Sequence, residues 1–196
     1  MKTQIEVHPF SPFLPTDATH LVLGTFPTLN KNWRFNAYYP GRSNFFWRML
    51  SEIYQHPFRH ISGGEAANER LAFCAAIGIA LSDTVYSCQR KAVSSKDSDL
   101  IVVEPMDILS LLKQRPSIRN IILTGSSGKV SAHRIFYEHL KQSCIDFKVE
   151  TGKPPINGSF SLNETEIKTH TLYSTSGINI GRYKQAVEQY RKVLPV

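Results

Sequence analysis

Apolar positions along this chain fall into short runs separated by polar, turn-rich stretches, and the runs have two different periods. HLVLG (20–24) is a brief apolar block stopped by Gly24, the pattern of a short buried strand. IRNIILTG (118–125) is the clearest strand, and GIALSDTVYSC (78–88) is apolar and β-branched enough for a strand running into a loop. Further strands are predicted near 145–150 and over EIKTHTLYST (166–175), where alternation is weak. The helical period appears in SNFFWRMLSEIYQ (43–55), where Phe46, Met49, Leu50 and Ile53 form one stripe behind Ser43 as N-cap. EAANERLAFCAAI (65–77) and PMDILSLLKQ (105–114) also read as helices, the second with Pro105 in its first turn. SGKVSAHRIFYEHLKQ (127–142) places Ala132, Phe136, His139 and Leu140 on one face; IGRYKQAVEQYRKVL (180–194) does the same with Tyr183, Val187, Tyr190 and Leu194. Residues 25–42 and 56–64 read as loops, 89–99 as a polar flexible segment and 151–159 as a turn-rich one.

Strands alternating with helices imply an α/β fold: a three-layer sandwich with a mostly parallel central sheet covered on both faces. The chain shows no internal repeat and no long linker, so residues 1–196 are expected to form a single domain. In such folds ligands bind beyond the carboxyl ends of the strands. The loops after Gly24, Leu81 and Tyr173 are therefore expected to meet there.

Composition narrows the class. Apolar residues at 41 % and charged residues at 20 % exclude a disordered chain. No apolar run approaches the roughly 18–20 residues of a membrane span, so no membrane partner is expected. The start, MKTQIEVHPF, has no signal-type apolar stretch, and the mature protein is expected to begin near Met1. Cys74, Cys88 and Cys144 lie far apart, which argues against a disulfide framework and a four-cysteine metal site. Each cysteine reads as core filler in a reducing, cytoplasmic compartment, nucleoid-associated in a bacterium. Twenty-three Lys and Arg against 16 Asp and Glu give a net +7, a bias toward polyanions, of which nucleic acid is the commonest.

Two motif-like stretches are decoys. GSSGK (125–129) lacks the Gly six places before the lysine and the Ser or Thr after it, positions held by Leu123 and Val130, and is no phosphate loop. GTFPT is no dinucleotide fingerprint, and GxSxG and HExxH are absent. The seven histidines show no ligand spacing, so no metal is expected.

What remains is a set of four segments: GTFPT (24–28), YYPGRSNFFW (38–47), GIALSD (78–83) and YSTSGIN (173–179). In order and content they resemble the uracil-DNA glycosylase superfamily, most nearly its mismatch-specific uracil and hypoxanthine-DNA glycosylase branches. Those share a strand ending in G-x-[NLF]-P, an aromatic loop ending in N-x-F-W, a G-[IV]-x-L-x-[DN] strand and a final Ser/Pro-rich loop. SCQRKAVSSKDSD, after the third segment, also resembles the hypoxanthine branch. The resemblance spans essentially the whole chain.

It implies a uracil-DNA-glycosylase-like fold and a DNA glycosylase that flips a nucleotide, holds its base and hydrolyses the N-glycosidic bond without a cofactor. Asn44 falls on the asparagine implicated in catalysis, where an amide positions a water; the bland alternative is a helix-start residue satisfying backbone groups. Tyr39 matches the aromatic on which a flipped base stacks, with core packing as its alternative. Phe46 and Trp47 are assigned to the core. Phe26 stands where other branches have Asn or Asp and cannot activate water; its backbone and that of Pro27 remain base contacts. Asp83 stands where uracil enzymes read the base with Asn. An ionised Asp only accepts, so it favours a base presenting an N–H; the alternative is a strand-end cap.

Ser174, Thr175, Ser176, Gly177, Ile178 and Asn179 match the loop that enters the minor groove. Ile178 is then its apolar wedge and Arg182 a phosphate contact. The alternative is an ordinary strand-to-helix turn. The histidine that many uracil enzymes carry there is missing. No lysine lies in the four segments, so a monofunctional enzyme, acting as a monomer on DNA, is expected. Two other classes stay open: a nucleic-acid-binding member of the fold with little or no catalysis, and a hydrolase of free nucleosides or nucleotides.

Overall fold

The computed structural model describes residues 4–91 and 93–195. Nine strands and five helices are found among them. They are β1 (Ile5–Val7), β2 (His20–Gly24), α1 (Phe46–Ile53), α2 (Gly63–Ala76), β3 (Ile79–Asp83), β4 (Val85–Arg90), β5 (Leu100–Pro105) and α3 (Ile108–Gln114). The rest are β6 (Asn120–Thr124), α4 (Ala132–Gln142), β7 (Phe147–Val149), β8 (Ile156–Leu162), β9 (Thr165–Leu172) and α5 (Tyr183–Arg191).

A six-stranded sheet runs in the order β3-β2-β6-β9-β8-β7. Its first four strands are parallel; β8 pairs antiparallel with both β9 and β7. The sheet is therefore mixed, with β8 alone running against the other five strands. The cause is INGSFSL (156–162), whose Asn, Gly and Ser read as a turn but which forms β8. Asn163 and Glu164, both at positive φ, close the hairpin into β9.

β2 and β3 are buried at every position, as parallel strands covered on both faces must be. Alternation along the strands divides the core in two. Val22, Ile79, Leu81 and Ile122 face α1, α2 and α5, where Phe46, Met49, Cys74 and Tyr190 pack. Leu21, Leu23, Ile121 and Leu123 face α3 and α4, with Leu112, Phe136 and Leu140. A smaller core of Phe26, Val85, Cys88 and Leu100 lies under a second, antiparallel sheet of order β1-β4-β5. No helix among the described residues is long and apolar enough to cross a membrane.

Several boundaries differ from expectation. α1 starts at Phe46, three residues after Ser43, and Pro105 ends β5 instead of opening α3. Asp107 caps α3, its Oδ1 accepting from Ser110 N–H at 3.1 Å. The segment 89–99 is tethered. Arg90 ends β4 with its side chain buried, donates to both carboxylate oxygens of Glu6 at 3.0 Å, and donates to the Ser94 carbonyl at 2.9 Å. Ser95 Oγ accepts from Leu29 N–H at 3.2 Å and Asn32 Nδ2 at 3.1 Å. Cys74 and Cys88 fill the core, but Cys144 is exposed at a positive φ after α4 and is not core filler.

The chain before β2 closes the edge of the main sheet. β1 pairs with β4, and Phe13 bridges Leu81 of β3 through two backbone hydrogen bonds of 2.9 Å.

Candidate active site

The carboxyl ends of β3, β2, β6 and β9 lie side by side, as parallel register requires, and Gly24 stands opposite Asp83. Asp83 shares its face of the sheet with Ile79 and Leu81, so its carboxylate rises on the side that carries α1. It lies close over Gly24: a Cβ built there would be 2.2 Å from Asp83 Oδ1 and 3.5 Å from the Tyr39 hydroxyl. Only a glycine admits that approach.

Tyr39 reaches this point because its backbone has φ 55, a turn conformation ordinary for Asn or Gly and uncommon for an aromatic. Its ring stacks on Phe46 with centroids 4.1 Å apart, and its hydroxyl is buried without a hydrogen-bond partner among the described residues. Burial, and then the negative charge of Asp83, push this hydroxyl well above the ordinary phenol pKa. It therefore stays a donor.

Asn44 sits half-buried just before α1, its Oδ1 accepting from Phe46 N–H at 2.9 Å. The same helix start is tied to the last loop: Phe45 N–H donates to the Thr175 carbonyl at 3.0 Å. Gly177 packs on Ser43 so closely that a Cβ would lie 2.6 Å from the Ser43 Cβ. The segments holding Asn44 and residues 174–179 are thus one surface.

Within the last loop, Thr175 is buried at 1 % exposure, so its side chain does not face outward as a DNA contact would. Residues Gly177–Arg182 form a 3-10 turn, and α5 begins only at Tyr183. Ile178 stands out with 92 % of its surface exposed, and Ile180 with 51 %. Beside them Ser126, Ser127, Lys153, Ser174, Asn179 and Arg182 line a groove; the Arg182 guanidinium lies 4.9 Å over the Tyr173 ring.

Phe26 is a wall of the interior. Its ring belongs to the small core with Val85 and Cys88, and the Arg90 guanidinium lies 5.5 Å from it. The Pro27 carbonyl accepts from Arg90 Nη2 at 2.7 Å, which occupies one backbone acceptor of that loop.

Two titratable groups at this end, His8 and Asp97, were not among the candidate residues of the sequence. His8 donates from or accepts at Nε2 with Asp83 Oδ2 at 2.8 Å, both side chains buried. Asp97 lies near Thr25, Asp83 and Arg90, and burial pushes its carboxyl up to about 6, against the favourable Thr25 hydroxyl. His8 has no motif around it, and its partner is 75 residues away. Asp97 lay in the segment resembling the hypoxanthine branch, the one pointer toward it.

No protein-family model and no curated protein sequence matches the chain. Its structure is similar to the solution NMR structure of a putative uracil DNA glycosylase from Methanosarcina acetivorans. The TM-score is 0.63 at 19 % identity, over 97 % of this chain and 99 % of that one. At that identity the likeness establishes architecture, and the chain has a uracil-DNA-glycosylase-like α/β fold.

Proposed function

We propose that this protein is a monofunctional DNA glycosylase that hydrolyses the N-glycosidic bond of a deaminated base, hypoxanthine before uracil or xanthine. The observation that carries the reading is the Asp83 carboxylate over Gly24, beside the buried Tyr39 hydroxyl, at the strand ends. It places an acceptor next to a donor, and a lactam edge presents the complement, a ring N–H next to a carbonyl. Adenine and cytosine offer the opposite order, a ring nitrogen acceptor next to an amino group. On uracil or xanthine a carboxylate at the ring N–H meets carbonyls on both sides. On hypoxanthine one neighbour is a C–H, which removes one repulsion.

In this reading the base leaves as an anion and a water adds at C1′ of the sugar, giving an abasic site and the free base. The Asn44 amide orients that water, and Tyr39, backed by the buried Phe46, forms the aromatic floor. The exposed Ile178 fills the gap left by the flipped nucleotide, while Lys153, Arg182 and the serines of the groove meet phosphates. The net +7 supports a polyanionic substrate over a free nucleoside.

The test is incubation with duplexes containing hypoxanthine, xanthine or uracil, followed by alkali cleavage. Strand breaks at the lesion, lost in Asn44→Ala, are the expected result; intact strands with every base overturn the reading. A second reading is a DNA-binding member of the fold without turnover. It is favoured by one observation, the use of Asn44 Oδ1 to hold Phe46 N–H. Binding to lesion duplexes without release of any base would select it.

A further inference from the structure

His8 arrives at the strand ends from the far end of the sequence and is held from every side. Its backbone N–H donates to the Tyr86 carbonyl at 2.7 Å. Its ring stacks on Tyr38 with centroids 5.7 Å apart and meets Phe26 edge-on at 5.5 Å. Nδ1 lies 2.7 Å from the Phe10 carbonyl and 3.2 Å from Phe10 N–H, and Nε2 lies 2.8 Å from Asp83 Oδ2. The side chain keeps 1 % of its surface. The rings of Tyr38, Phe26 and Phe10, the last edge-on at 5.8 Å, and two hydrogen-bonded nitrogens leave it no rotational freedom, so it acts as a fixed point for whatever it touches.

What it touches is one oxygen of the carboxylate. Asp83 Oδ1 lies over Gly24 and makes no hydrogen bond among the described residues, while Oδ2 is taken by His8. A free aspartate rotates about its terminal torsion and presents either oxygen, or a proton, to a ligand. With an Nε2–H donated to Oδ2, the torsion is set and the two oxygens become unequal.

We propose that His8 is the positioning residue of the base-reading carboxylate: it holds Asp83 Oδ2 so that Oδ1 alone faces the ligand, as an acceptor for one ring N–H. This rests on the glycosylase reading and adds to it the group that sets base preference. Hypoxanthine gains most, because a single acceptor oriented at its N1–H faces one neighbouring carbonyl oxygen where uracil presents two. A loosely held carboxylate loses that advantage, and uracil gains relative to hypoxanthine.

The experiment compares single-turnover excision from hypoxanthine and uracil duplexes by the wild type, His8→Ala, His8→Gln, Asp83→Asn and the His8→Ala/Asp83→Asn double variant. Ring nitrogen NMR on the same proteins reports whether the His8–Asp83 pair forms in solution. His8→Ala and Asp83→Asn are each expected to move the hypoxanthine-to-uracil rate ratio toward uracil by about tenfold, the scale of one hydrogen bond to a charged group. The double variant is expected to move it no further than Asp83→Asn does, since the two residues act as one unit. His8→Gln, whose side-chain amide also donates, is expected to restore the ratio.

A merely structural histidine gives another pattern, equal losses on both bases with an unchanged ratio, and that pattern overturns the proposal. So do additive effects in the double variant, or a His8 ring spectrum indifferent to Asp83→Asn. A wild type that excises neither base overturns the glycosylase reading itself, and this role with it. An active wild type with an unmoved ratio overturns the role alone.

Discussion

Gly24 and Asp83 are register partners on adjacent parallel strands, and the carboxylate of one occupies the space where a side chain of the other would begin. The glycine is needed here for close approach and not for an unusual backbone angle. Gly24→Ala would put a methyl 2.2 Å from Asp83 Oδ1, so the carboxylate must swing away from its position over the strand end. The expected cost is about 1–3 kcal/mol of stability from overpacking, read by urea unfolding, with base preference lost in the residual activity. An alanine variant of unchanged stability and preference would contradict this packing.

Asn44 joins two roles that substitution can separate. Its Oδ1 satisfies Phe46 N–H at the start of α1, a contact worth about 1 kcal/mol. Asn44→Ser keeps a short oxygen for that contact and removes the amide. Near wild-type stability with base release slowed about 100-fold or more is expected. Single-turnover rates and thermal unfolding, measured together, decide it; full activity in the serine variant would make Asn44 a cap alone.

Ile178 is almost wholly exposed, so its truncation has no folding cost to confuse the result. Ile178→Ala is expected to slow excision from a paired lesion about tenfold and to leave the same lesion in a single strand nearly unaffected. An apolar wedge offsets an unstacking cost of a few kcal/mol that single strands largely lack. Equal losses on both substrates would remove Ile178 from the flipping step.

Lys153 and Arg182 flank the groove beside that loop. If they meet phosphates, removing either should weaken binding across all sequences and lower the slope of log affinity against log salt by about 1. Titrations of a labelled duplex at several salt concentrations measure this. An unchanged slope places the DNA path elsewhere.

Asp97 supplies a pH dependence with a definite sign. Its carboxyl is raised from 3.8 to about 6, chiefly by burial, so the fold prefers the protonated form. Stability from this group is complete below pH 4 and is lost as the pH rises through 6, about 2–3 kcal/mol in all. Asp97→Asn should therefore be the more stable protein at pH 7.5, with the difference vanishing at pH 4. Urea midpoints at both values test it, and a constant difference would contradict it.

The buried strands were legible because apolar runs such as HLVLG and NIILT have no other stable home. β8 was not. In INGSFSL the Asn, Gly and Ser are turn formers locally, and only pairing with β7 and β9 makes them a strand. β5 was missed because Leu100–Pro105 follows a polar stretch whose order comes from Arg90 and Ser95, through contacts absent from local sequence. Of the residues in the four short segments, Tyr39 and Asp83 meet over Gly24, while Asn44 is fixed at the start of α1. His8 could not be read, since nothing near HPF signals a partner on β3.

The bridge between Phe13 and Leu81 bears on aggregation. β3 is the outer strand of the six-stranded sheet, and an apolar edge is a template on which another chain can pair. Both backbone groups of Leu81 are already taken by Phe13. At the opposite edge β7 is only Phe147–Val149, too short to recruit a strand. A chain beginning after Phe13 would uncover the β3 edge and lose His8 in the same step, so insolubility and altered chemistry would arise from one deletion.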